Sequence, residues 1–162
     1  MSNYIDTRDL YRRQCELQEE LDTLETELQD MQESLDDAQD DYRECEEPDE
    51  TDNALERIDD YTARIEDARK ALSDWQEEYQ EELTELDDLE TEIGREWTHG
   101  EILIPEGEFT AYAQNLAEET GAIPADAGWP IAGNIDWDQA ADELKQDFSC
   151  CTYQGTDYLF HS

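Results

Sequence analysis

Glycine is missing from the first ninety-three residues, and all seven glycines of the 162-residue chain lie between Gly94 and Gly155. With Pro48 the lone proline before Gly94, little in that first stretch interrupts a helix. Bases are as scarce. Ten Lys and Arg face forty-eight Asp and Glu, the formal net charge is −38, and Gln14 to Asp41 holds no base. Such a chain is repelled by nucleic acid and by an anionic leaflet, so direct binding to either is excluded. No apolar run approaches the ~20 residues of a membrane span. The start, MSNYIDTRDLYRR, lacks the apolar stretch of an export signal, so a cytoplasmic protein is expected.

The chemistry-bearing residues are sparse too. Cys15, Cys45, Cys150 and Cys151 form no C-x-x-C pair and have no histidine beside them, which argues for free thiols over a zinc site or disulfide framework. In a strand, the neighbours Cys150 and Cys151 would point oppositely, one buried and one exposed. His99 and His161 are the only histidines, and His99 reads as a linker residue. Nucleophile elbows, phosphate loops and zinc helices are absent. Asp36, Asp37, Asp40 and Asp41 attract cations only diffusely, because they lack the glycine turn and mixed ligands of a calcium loop. No catalysis, cofactor or metal is expected.

What remains is order within the acid. Leu10, Gln14, Leu17, Leu21, Leu24, Leu28, Met31, Leu35, Ala38, Tyr42 and Cys45 follow one another in alternating steps of four and three, the rule of a coiled-coil seam. A second track runs Ala54, Ile58, Tyr61, Ile65, Ala68, Leu72, Trp75, Tyr79, Glu82, Leu86, Leu89 and Ile93. Glu82 alone interrupts it, and Leu83 beside it can cover the gap. Asp6 or Thr7 can cap the first helix. Pro48 breaks the chain, and Asn53 with Glu56 offers a capping box for the second helix. The expectation is an antiparallel helical hairpin over residues 1–95, with helices at about 7–46 and 53–94. Each would be about 60 Å long.

Residues 96–162 differ in character. Ile102-Leu103-Ile104-Pro105 reads as a short buried strand, Glu108 to Thr120 as a helix ended by Gly121, and Ala122 to Asn134 as a loop. Asp136 with Gln139 caps a helix reaching about Asp147, and Cys150–Tyr153 with Tyr158–His161 forms a closing β-hairpin around Gln154-Gly155-Thr156-Asp157. The fold class is therefore α-rich, α+β: a long acidic coiled-coil hairpin followed by a small α+β domain. Trp97, Trp137 and most other aromatics are assigned to the small core, and Trp129 beside Pro130 is a candidate anchor for a partner.

Residues 1–93 carry thirty-five acids and eight bases, a net of −27. Spread over ~60 Å, that is about one charge per 2.2 Å, near the one per ~1.7 Å of duplex DNA. Two packed helices are also about as wide as a duplex. A carboxylate array of this kind suits the basic channel of a DNA-binding enzyme. Glu19, Glu20, Glu27, Asp30, Asp37, Asp40 and Asp41, on the base-free helix, are the candidate phosphate substitutes. The alternative is a structural or adaptor coiled coil whose acidity serves solubility, as in halophilic proteins, and the two lysines Lys70 and Lys145 fit that. Against it, solubility does not require a net charge near forty, and like charges at helical spacing cost stability.

Phe109-x-x-Tyr112-Ala113-x-x-Leu116, then Gly121-Ala122-Ile123-Pro124, then Ile135-Asp136-Trp137 with Ala140, Ala141, Leu144 and Asp147, resembles a domain of the ArdA antirestriction family. The resemblance covers about sixty residues, and the matching positions hold a fold together and mark no site. It implies an acidic phage or mobile-element protein inside a bacterial host cell. Such proteins imitate DNA to block type I restriction–modification enzymes, and homodimers occur among them. The partner expected is a DNA-binding defence complex, of restriction–modification or CRISPR type, with a homodimer allowed.

Overall fold

The computed structural model describes residues 3–123 and 132–161. The chain is helix-rich, with one small antiparallel sheet. It divides into two compact units, Gln14–Thr84 and Met1–Arg13 with Glu85–Ser162. This grouping differs from a division at residue 95 in placing the N-terminus, through Ile5 and Asp6, together with the sheet.

Two helices supply most of the chain, α1 (Thr7–Glu44) and α2 (Pro48–Ile93). The break between them is only Cys45 to Glu47, and α2 begins at Pro48 rather than at Asn53. Proline is favoured at the first helical position, where its missing N–H has no partner to lose and its φ is already helical. The capping box at Asn53 is accordingly not used. Instead the Glu47 carbonyl accepts from the Thr51 N–H (3.0 Å) and from its hydroxyl (3.0 Å). At the other end Asp6 is the cap: Oδ1 accepts from the Arg8 N–H at 2.9 Å, and the Arg8 guanidinium beside it holds the carboxyl below its usual range. A carboxylate with a lowered folded pKa contributes stability above its unfolded pKa and loses that contribution as pH falls through the folded one. Asp6→Ala should cost about 1 kcal/mol in denaturant melts at pH 7, and the difference from wild type should shrink on acidification.

Both periodic tracks are the sheltered faces of their helices. Within Gln14–Thr84, Leu17, Ala38, Ala54, Ile65, Trp75 and Leu83 are buried, and the intervening positions Leu21, Leu24, Leu28, Met31, Leu35, Ile58, Tyr61, Leu72 and Tyr79 are half-buried. Leu83 covers the gap at Glu82 as expected. Tyr42 departs from the track at 41% exposure.

In the other unit the strands are β1 (Ile5–Asp6), β2 (Ile102–Pro105), β3 (Phe148–Tyr153) and β4 (Thr156–His161), all antiparallel in the order β1-β2-β4-β3. Strand β1 pairs Ile5 with Leu103 and Asp6 with Ile102. It was not foreseen, since two residues carry no period. Thr7, fully buried, fixes the same junction: its N–H donates to the Glu101 carbonyl (2.9 Å), its hydroxyl to the Glu96 carbonyl (3.2 Å), and its oxygen accepts from the Glu101 N–H (2.9 Å). Of the strand expected to be buried, Ile102 is exposed and the next three residues are buried.

Helix α3 (Glu96–His99) is a single turn that buries Trp97, so His99, expected in a linker, sits on a helical turn with Nδ1 2.6 Å from the Arg95 carbonyl. Helix α4 (Phe109–Glu119) ends before Gly121, which has φ +73°, and α5 (Trp137–Leu144) is capped by Asp136, whose Oδ1 accepts from the Gln139 N–H at 3.1 Å. The β3–β4 hairpin turns on Gln154 and Gly155, both at positive φ, the pair of signs that a two-residue turn between right-twisted strands needs. The core is Ile104, Phe109, Ala113, Ala141 and Leu159, with Tyr4, Tyr112, Leu144 and Phe148 packed against it. Trp129 and Pro130 lie outside the described residues. No helix among the described residues is long and apolar enough to cross a membrane.

Candidate functional site

Seam spacing decides where the acids of α1 point. Glu20, Glu27 and Asp41 each directly precede a seam residue, Leu21, Leu28 and Tyr42. Asp30 and Asp37 stand two after Leu28 and Leu35, and Glu19 and Asp40 two before Leu21 and Tyr42. At 100° per residue all seven fall in one arc of about 160°, on the solvent-facing side of the helix. All seven are exposed.

They are not equivalent. Two of them bond to residues of α2. The Trp75 indole N–H donates to Glu20 Oε2 at 3.0 Å, and Arg57 Nη1 lies 3.0 Å from Asp41 Oδ2. Asp40 pairs along its own helix with Arg43 at 3.4 Å. Glu19, Glu27, Asp30 and Asp37 have no ion pair among the described residues. Four of the seven candidates thus have side-chain oxygens not engaged in an ion pair among the described residues, while Glu20, Asp40 and Asp41 are drawn on by the fold. The cross-helix bonds of Glu20 and Asp41 were missed, although their place beside the seam was the available signal.

Around Glu20 the surface is concave. A groove of about 500 Å³ is lined by Glu16, Glu19, Glu20, Thr23, Leu24, Glu27 and Trp75. The Trp75 ring, held at one end by Glu20, also packs at 5.7 Å against the ring of Tyr79. Other charge on this unit is matched locally: Asp60 with Arg64 and Lys70 with Asp74, both one helical turn apart. Exposed pairs of this kind contribute little stability. Their effect is to cancel much of the positive charge already present, leaving Glu19, Glu27, Asp30 and Asp37 without a matched charge among the described residues.

The cysteines divide as the strand alternation requires, with Cys150 exposed and Cys151 buried. Burial, with Glu92 and Cys150 nearby, pushes the Cys151 thiol up to about 12. The thiolate is the reactive form. Iodoacetamide at pH 8 should therefore modify Cys150 well before Cys151, as peptide mapping would show. Among the described residues no three His, Cys, Asp or Glu side chains converge to hold a metal ion.

The positions carrying the family resemblance are largely core or half-buried: Phe109, Ala113 and Ala141 buried, Tyr112, Leu116, Ile135, Trp137, Ala140 and Leu144 partly so. No family model, curated protein or solved structure matches the chain.

Proposed function

We propose that the chain is a non-enzymatic DNA mimic that inhibits a DNA-binding defence enzyme of the bacterial cell, either a restriction–modification or a CRISPR effector complex. In this reading α1 and α2 form an antiparallel coiled-coil rod, and its carboxylates occupy the target's basic channel in place of phosphates. The observation that carries it is the α1 arc: seven exposed carboxylates on one face of a segment without a base, four of them with no ion pair among the described residues. Exposed acids also stand off this arc, at Asp22, Glu25 and Asp36, so most of the solvent-facing surface of α1 carries the charge a basic channel would meet, more than solubility requires. The partner's lysines and arginines supply the counter-charge, so binding weakens with salt.

The test is displacement. The immobilised protein is exposed to bacterial lysate at low salt and eluted with excess duplex DNA. Release of a DNA enzyme by duplex, and not by an uncharged polymer, supports mimicry and names the target. Purified restriction and CRISPR effector complexes that all ignore the protein, with duplex displacing nothing, would leave the acidic adaptor as the better account.

A further inference from the structure

Among the described residues strand β3 is an edge strand, because the sheet order β1-β2-β4-β3 gives it no neighbour on one side. Its six residues pair with β4 one for one, Phe148 with His161 through Tyr153 with Thr156, and no bulge interrupts them. The two-residue turn makes Tyr153 and Thr156 a mutually hydrogen-bonded pair. Alternation then directs the N–H and C=O of Cys151 and Ser149 toward β4, and those of Thr152, Cys150 and Phe148 outward. The hydroxyl of Thr152 meets Asp157 Oδ1 at 2.7 Å, which fits the closer side-chain approach of a non-hydrogen-bonded pair. Thr152 and Cys150 are exposed, and among the described residues no backbone bond reaches their outer side.

Natural edge strands are guarded by lysine, proline, inward charges, bulges or brevity. The opposite edge, β1, is guarded by brevity, at two residues. Phe148–Tyr153 has none of these guards, and it is an uncharged stretch in a chain that is 36% charged. Its surroundings are acidic: Thr152 meets Asp157, the Cys150 thiol is raised first by burial and then by Asp157, Glu106 and Glu92, and Lys145, the base at Glu106, also faces Asp142. With a net charge of −38, a second copy approaching this edge is repelled. A basic chain is attracted.

We propose that the outer edge of β3 is a docking strand for an extended basic segment of another protein, which adds to the sheet through main-chain hydrogen bonds and is selected by the surrounding carboxylates. This is the strand-addition mode of peptide recognition, with affinity from the backbone and specificity from charge. It does not depend on what the acidic arc of α1 binds.

The probe is a capped octapeptide of alternating lysine and threonine, titrated into the full isotope-labelled chain with amide exchange read by NMR. The expected result is at least tenfold slower exchange at Cys150 and Thr152, with no effect from the glutamate–threonine analogue. Proline is tolerated at an edge position whose N–H faces outward. Thr152→Pro should therefore keep the β4 pairing and weaken the lysine peptide at least tenfold. If that variant does not fold, E106K with D157K leaves the backbone intact and should weaken the peptide similarly. Unchanged exchange at saturating peptide, equal binding of both peptides, or binding that survives these variants would overturn the proposal. So would protection of the same amides in a concentration-dependent dimer, which would assign the edge to a second copy. Reversal of the α1 acids should leave the peptide's effect in place.

Discussion

Under the proposed mimicry, changing Glu19, Glu27, Asp30 and Asp37 together to lysine should remove most of the binding to the target while raising thermal stability. The two effects have separate causes. Four partly exposed contacts with a basic channel, at ~1 kcal/mol each, amount to about 4 kcal/mol, roughly a thousandfold in affinity. Stability moves the other way, because like charges three or four apart on a helix cost ~0.2–0.5 kcal/mol each and opposite charges return as much. A lysine at position 19 would face Glu16 and Asp22, one at 30 would face Glu33, and one at 37 would face Glu33, Asp40 and Asp41. Six such pairs, each swinging by ~0.4–1 kcal/mol, should give a gain of about 2–6 kcal/mol at low ionic strength, shrinking in added salt. Glu20 and Asp41 are left alone because Trp75 and Arg57 use them. A variant that melts higher yet still inhibits as wild type would show that the α1 arc is not the contact. An adaptor with ornamental acidity would give that pattern.

Phe109→Ala should be the most damaging single change to the sheet-bearing unit. Phe109 is fully buried among Ile104, Ala113, Ala141 and Leu159, with the rings of Phe148 and Tyr112 at 5.0 and 5.5 Å. Removing a buried phenyl ring forfeits its transfer energy and leaves a cavity, about 3–5 kcal/mol in all. Aromatic pairs of this kind add ~0.5–1.5 kcal/mol beyond area, and both would be lost. A small domain has a total stability near the low end of ~5–15 kcal/mol. Near-UV circular dichroism should therefore show this unit largely unfolded, with Phe109→Leu much milder. A loss under 1 kcal/mol would mean that the ring is not central to this core.

Long elements were legible because their signal repeats. The tracks through Leu17–Ala38 and Ala54–Ile93 mark their faces a dozen times over, so one odd position such as Glu82 could not hide them. The Asp136 cap and the Gly121 stop were legible because each type does one local job; the closing hairpin was legible too, but its turn is Gln154-Gly155 alone, and Thr156 and Asp157, expected in the turn, open β4. The start of α2 was misplaced because proline has two opposite meanings, helix breaker and first helical residue, and composition around Pro48 does not separate them. Strand β1 was invisible because Ile5-Asp6 becomes a strand only through Leu103 and Ile102, nearly a hundred residues later. Of the candidate site, the arc could be read from spacing alone. The diversion of Glu20, Asp40 and Asp41 could not, since it depends on what stands opposite or one turn along.

The pairing of Ile5 with Leu103 also bears on how the chain is made. Gln14–Thr84 is contiguous, so its segments can assemble as soon as they leave the ribosome. The unit built from the first thirteen residues and everything after Glu85 is split in sequence, and contacts so far apart are slow to form. During synthesis Ile5 and Asp6 must wait for β2, and β2 for β4, its neighbour on the other side, which is completed at His161. The sheet is thus the last part to close, and a nascent chain arrested before Thr156 would expose Phe109 and Ile104 beside finished helices.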